Sequence, residues 1–128
     1  MNRPDRYVLV ADDDPLVLRS LRYILARSKI PFECVENGAQ ALARARERKP
    51  ALALLDVMMP EMNGLEVCRT MKSDPDLKDV PVVLVTARAM SAERQRGLDA
   101  GANEYVTKPF VNAELIDMIQ RTLDPART

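Results

Sequence analysis

The sequence predicts an α/β protein built on one parallel sheet, and three observations carry that expectation. Short apolar runs alternate five times with stretches of helical period along 128 residues. Three of the runs, at residues 7–11 (YVLVA), 51–55 (ALALL) and 80–86 (VPVVLVT), lack the in–out alternation of a half-exposed sheet, as expected of strands covered on both faces. Strict alternation of strand and helix implies parallel pairing with right-handed crossovers. Five such units fit an open, doubly wound sheet in a single domain; a barrel needs eight, in about 250 residues.

Each element has its own signal. After the first strand, Asp14 stands as N-cap and Pro15 opens a helix over 15–27, with Leu18, Leu21 and Leu25 as its buried stripe. The second strand is 32–35. An Asn37-Gly38 turn follows, then a helix over 39–48, whose arginine-dense segment 43–49 (ARARERK) is expected to be a solvated face. The third strand leads to a helix over 65–72 with Leu65, Cys68 and Met71 facing inward, and 73–79 (SDPDLKD) is a connecting loop. The fourth helix starts near Ser91 and ends before Gly101, which suits a left-handed cap. A fifth strand over 103–107 and a helix over 112–123, burying Leu115, Ile119 and Leu123, complete the domain. Residues 1–5 form an N-terminal extension, 6–123 the domain and 124–128 a frayed tail.

Composition excludes several functions. Nineteen basic and nineteen acidic residues cancel, so no general affinity for nucleic acid or membrane is expected. The chain has no histidine, which removes Ser-His-Asp and Cys-His catalysis and the histidine ligands of most catalytic zinc sites. Cys34 and Cys68 lack CxxC spacing and read as small core residues of a reducing compartment. No signal peptide or membrane span fits, and a cytoplasmic location is expected.

In an open α/β sheet the ligand sits beyond the carboxyl ends of the strands, where the strand order reverses. The first strand is followed by Asp12, Asp13 and Asp14, and the third by Asp56, Val57, Met58, Met59 and Pro60. The fourth ends on Thr86 and the fifth on Lys108-Pro109, whereas the second ends on Glu36-Asn37 and offers nothing similar. If the strand order is 2-1-3-4-5, the silent strand lies at an edge and the polar residues converge. Taken singly, each has an ordinary explanation: a cap for Asp14, a turn for Asp56, a strand end for Thr86, an exposed charge for Lys108. None of these explains why acids, hydroxyl and lysine occupy four strand ends and spare the fifth.

Packed carboxylates repel one another unless a cation joins them. Oxygen-only ligands select a hard ion; an incomplete set completed by water and phosphate suits Mg²⁺, with Mn²⁺ as the alternative. A lysine and a threonine hydroxyl add a charge and a donor at phosphate oxygens. Together these are the requirements of phosphoryl transfer, with a carboxylate as the acceptor.

The runs LVADDDP, LLDVMMPEMNGLEV, PVVLVTA and GANEYVTKPF, in that order, resemble those of the response-regulator receiver domain of two-component signalling, over nearly the whole chain. The resemblance implies a flavodoxin-like (βα)5 fold with sheet order 2-1-3-4-5. It implies a switch that promotes its own phosphorylation and dephosphorylation and is not a metabolic enzyme. Asp56 matches the phosphoacceptor, supplied by a histidine kinase or a histidine phosphotransfer protein. Asp13 matches the direct metal ligand, Asp12 its neighbour acting through water, and Met58 the donor of a backbone carbonyl, with Asp56 completing the set. Thr86, Ala87 and Lys108 match the phosphate-binding positions, and the bond to Pro109 is expected to be cis. Thr86 and Tyr105 match the switch pair; Met58 and Arg88 occupy positions that tune the lifetime of the phosphorylated state.

The triple aspartate leaves the frame ambiguous, and the capping task of Asp14 favours Asp12 and Asp13 as the acidic pair. Output is expected through the fourth helix, fifth strand and fifth helix, to a downstream protein, a fused effector domain or a second copy. The chain is then a stand-alone receiver or a segment of a longer protein; the loop 73–79 resembles that of receivers attached to hybrid kinases and cyclases. A haloacid-dehalogenase-type phosphatase is the rival, with Asp12-x-Asp14 as its motif, but no acidic pair follows Lys108. A flavodoxin-like electron carrier fits less well, because the first strand ends in acids where a flavin phosphate needs hydroxyls and amides.

Overall fold

The computed structural model describes residues 7–87 and 91–123. The extension at 1–5, Arg88 and the tail at 124–128 lie outside the described residues. The apolar runs form one five-stranded parallel sheet of β1 (Val8–Ala11), β2 (Phe32–Val35), β3 (Leu52–Asp56), β4 (Val82–Thr86) and β5 (Glu104–Thr107), in the order β2-β1-β3-β4-β5. Chain direction reverses its march across the sheet after β2, so a crevice opens between the ends of β1 and β3. The strands are joined by α1 (Pro15–Arg27), α2 (Gly38–Glu47), α3 (Gly64–Ser73), α4 (Ser91–Asp99) and α5 (Asn112–Leu123). No helix among the described residues is long and apolar enough to cross a membrane.

The unbroken apolar runs are explained by two cores, one on each side of the sheet. Leu9, Ala11, Ala53, Leu55, Val82 and Leu84 face α2 and α3; Val8, Val10, Leu52, Leu54, Val83 and Val85 face α1 and α5. Every residue of β1, β3 and β4 is buried, and each large aliphatic side chain so placed contributes about 1.5–3 kcal/mol. A one-residue slip would exchange the two faces and carry Asp12 and Asp56 out of register with each other. Observed register pairs Ala11 with Leu55 and Asp56 with Val85.

Caps are set by sequence. Asp14 accepts from the Leu16 amide (2.9 Å) at the start of α1, and Asn63 and Glu66 form a reciprocal capping box on α3. Gly101 takes φ +96° after α4, as its position suggested.

Five local readings change. Asn37 and Gly38 are not a free turn: Asn37 caps α2 by accepting from Gln40, and Gly38 is the first helical residue. Asp56 belongs to β3, because pairing with β4 continues one residue further than the apolar run. Cys34 is only half-buried, since β2 is the edge strand, and Leu123 is only partly covered because it ends α5. The arginines of this segment are solvated but not idle: Arg44 in α2 and Arg48 at its C-cap both engage Glu33 on β2, at 3.3 and 2.9 Å.

Helix α1 ends in a left-handed turn made by a non-glycine residue. Lys29 has φ 59°; its amide donates to Ala26 O and the Ile30 amide to Leu25 O, the paired bonds of a Schellman motif. Lys29→Gly should therefore raise unfolding stability by about 0.5 kcal/mol, while Gly101→Ala should lower it by about 1–2 kcal/mol. Urea titration with unchanged m-value is the check; a stabilised Gly101→Ala would contradict the cap.

Candidate functional site at the strand ends

Three polar or charged side chains are buried among the described residues: Asp12 (2% exposed), Asp56 (5%) and Thr86 (1%). All lie at the carboxyl ends of adjacent strands β1, β3 and β4. Burial of carboxylates is costly unless they are paired, and here Lys108 from the end of β5 supplies the pair. Its Nζ donates to Asp12 Oδ2 at 2.9 Å and to Asp56 Oδ2 at 3.3 Å. The other oxygens take backbone amides: Asp12 Oδ1 accepts from Asp14 N (2.9 Å) and Asp56 Oδ1 from Met58 N (3.2 Å). The Lys108 amide donates to Thr86 O at 2.7 Å, tying the ends of β4 and β5 together, and the Lys108-Pro109 peptide is cis.

Asp13 is exposed, yet its carboxylate joins those of Asp12 and Asp56 with ligand atoms all within 4.8 Å. Asp14 has turned away to cap α1. One ammonium thus faces three carboxylates. Burial, and then the charge of Asp12, push the Asp56 carboxyl up to about 6 against the pull of Lys108 and the Met58 amide. For Lys108, burial acts downward, but its bond to Asp12 and the charges of Asp56 and Asp12 outweigh it and hold the ammonium above its ordinary value. The cluster carries negative charge in excess of its cation and offers only hard oxygen donors, so Asp12, Asp13 and Asp56 fit a small divalent cation such as Mg²⁺.

The remaining predicted residues that are described lie at the rim of this centre or beyond it. Met58 presents its backbone to Asp56 while its side chain is 60% exposed at the rim. Ala87 follows Thr86 and lines an apolar groove with Lys108, Pro109 and Phe110. Tyr105 sits two residues before Thr107 on β5, away from the carboxylates, with its ring against Gly97 of α4. A Cβ at Gly97 would lie 2.9 Å from that ring, so Gly97 is the seat of Tyr105, a role that a lone glycine in a polar helix does not announce.

Two more glycines have close backbone neighbours that the sequence does not announce. A Cβ on Gly64 would meet Asp56 O at 2.4 Å, and one on Gly38 would meet Met62 O at 1.7 Å. Both glycines pack helix starts against the loop that follows Asp56, and only the tertiary contact reveals it. Lys108 and Asp56 are brought together across 52 residues, which no local pattern encodes.

A carboxyl whose folded pKa is raised favours folding in its neutral form. That contribution is full below the ordinary carboxylate value, 3.8, and is lost as pH rises through about 6. Without divalent cations, Asp56→Asn should thus be more stable than the parent at pH 8, on the order of 2 kcal/mol, with the gain shrinking toward pH 4. Thermal melts in chelator across that range measure it, and a gain independent of pH would refute the cause.

Residues 8–120 match the family model described as the response regulator receiver domain. Response regulator MprA of Mycobacterium sp. (strain KMS) is 42% identical over 116 residues, covering 91% of this chain and 50% of that protein. DNA-binding response regulator MtrA of Mycolicibacterium smegmatis is 39% identical over the same shares. The chain spans about half the length of the curated relatives it matches. Among solved structures, the signal receiver domain of a signal transduction histidine kinase from Syntrophus aciditrophicus superposes with TM-score 0.88 at 33% identity, covering 94% of this chain and 91% of that one. The receiver domain of sensor histidine kinase PA1611 from Pseudomonas aeruginosa PAO1, crystallised with magnesium in its active-site cleft, gives 0.86 at 28% identity, covering 92% and 97%. With the doubly wound sheet and the acidic rim, these matches make the chain a member of the response regulator receiver domain family.

Proposed function

We propose that Asp56 accepts a phosphoryl group from a phosphohistidine of a partner kinase or phosphotransfer protein, and that the chain is a reversible switch. The observation that carries this reading is that, among the described residues, the buried polar side chains Asp12, Asp56 and Thr86 all lie at one rim. A carboxylate oxygen of Asp56 attacks phosphorus in line as the P–N bond to imidazole breaks; the imidazole leaves with a proton from solvent. Mg²⁺, held by Asp12, Asp13, Asp56 and the Met58 carbonyl, supplies charge neutralisation at the phosphoryl oxygens. That role is supported by the oxygen-only cluster and by the magnesium in the cleft of the PA1611 receiver.

Lys108 exchanges partners as the product forms, from the Asp56 carboxylate to the new phosphoryl oxygens, retaining Asp12 as its anchor. The Met58 amide, already on Asp56 Oδ1, keeps the acceptor in one rotamer. Thr86 and the backbone of Ala87 border the same space from β4. A hydroxyl of Thr86 turned toward the phosphoryl group frees room behind it for the ring of Tyr105. Among its described side chains α4 buries only Gly97, so little apolar area resists its displacement. The reading therefore sends the signal through α4, β5 and α5 to a downstream protein, a fused effector or a second copy, with residues 6–123 as the working unit.

The donor must approach beside Lys108. A groove of about 520 Å³ lies there, lined by Leu16, Val17, Ala87, Pro109 and Phe110, and Leu16 is 71% exposed. Its continuity with the phosphoryl site makes a helix of the phosphodonor protein its occupant.

Acetyl phosphate with Mg²⁺ should add one phosphoryl group to the protein, read by mass spectrometry. Asp56→Asn should take up none, and Asp13→Ala should need about tenfold more Mg²⁺. Equal labelling of Asp56→Asn sinks the proposal. Leu16→Glu should slow transfer from a phosphohistidine donor about tenfold or more yet leave acetyl phosphate labelling unchanged; equal loss with both donors would move the docking site elsewhere.

A further inference from the structure

We infer that Gly38, at the first turn of α2 and remote in sequence from Asp12, Asp56, Thr86 and Lys108, is a positioning residue for phosphoryl acceptance. It acts by clamping the loop that carries Met58. The inference rests on the assignment of Asp56 as acceptor. The loop between β3 and α3 is anchored at both limbs. On the near side the Met58 amide bonds Asp56 Oδ1, and the Gly64 amide donates to Val57 O at 3.1 Å. On the far side the Met62 carbonyl occupies the space a Cβ of Gly38 would fill, 1.7 Å from its ideal place. Backbone oxygen thus meets the Gly38 Cα–H at the positive end of α2, a favourable placement for a carbonyl dipole. That end of α2 is itself fixed by Asn37, which accepts from Gln40 at 2.8 Å.

Between the two anchors the chain is strained. The Met62 amide donates to Pro60 O at 2.7 Å around Glu61, which has φ 71° and no glycine's freedom. Such a turn persists only if both ends are held. The near end is the site itself; the far end is held by the Asn63 capping box and, at Met62, by Gly38. Displacing Met62 by the volume of one methyl group would let Glu61 relax, and the slack would reach Met58 through Pro60 and the buried Met59. Met58 supplies the amide that orients Asp56, so its drift would degrade both the acceptor rotamer and the Mg²⁺ donor set.

The test compares Gly38→Ala with Ala45→Gly, which weakens the same helix at a buried position about two turns further on. In metal-free protein, hydrogen exchange of the Met58 amide should quicken by about tenfold in Gly38→Ala and stay unchanged in Ala45→Gly. The Mg²⁺ concentration giving half-maximal binding by calorimetry should rise about fivefold in the first variant only. Unchanged values in a folded Gly38→Ala, or equal changes in Ala45→Gly, would overturn the inference. If Gly38→Ala fails to fold, Glu61→Gly decides: it removes the strain and slackens the loop, so both readouts should shift without loss of stability, and two unshifted readouts overturn it. Failure of the parent protein to label on Asp56 would instead sink the acceptor assignment, leaving the exchange result standing.

Discussion

Everything at the rim of this sheet depends on one contact, the ammonium of Lys108 lodged between the buried carboxylates of Asp12 and Asp56. Two acids at the ends of neighbouring strands cannot share a low-dielectric edge unaided, and burial, then the charge of Asp12, leave Asp56 with a raised pKa. A single lysine compensates them incompletely. The centre keeps negative charge in excess of its cation, which a divalent ion would offset, changing the charge that Lys108 has to balance.

That arrangement needs the sheet to be covered on both sides. Only buried parallel strands in fixed register deliver Asp12, Asp56, Thr86 and Lys108 to the same height, and the alternate residues of β1, β3 and β4 lock the register from two cores. The helices differ in what they bury. Helix α3 seats Leu65, Val67, Cys68 and Met71, whereas α4 holds on through Gly97 beneath the ring of Tyr105. Stability is thus concentrated around the strand that carries Asp56, and among the described side chains α4, where the proposed signal leaves the domain, buries the fewest.

Much of this was legible beforehand for particular reasons. Unbroken apolar runs report burial on both faces, Asp14-Pro15 reports a helix start and Gly101 a left-handed stop, because each is a local consequence of side-chain or backbone chemistry. Asp12, Asp56, Thr86 and Lys108 stood out because strand ends can be counted. Cys34 and Leu123 were placed too deep, since periodicity reports which face a residue occupies and not whether its element lies at an edge or an end. Gly38 was taken for a turn residue; its helical place and its carbonyl neighbour, Met62, depend on how α2 meets a loop 24 residues away.

By itself the sequence determined the α/β class, the number of units and the set of polar residues available at the strand ends. These follow from period and chain order, which are properties of neighbours along the chain. Tertiary structure alone decided that Lys108 bridges two of the acids and that glycines on two helices meet backbone at Asp56 and in the loop that follows it. Those outcomes depend on distances across the fold, where burial strengthens each charge and a single methyl group exceeds the space left between backbones.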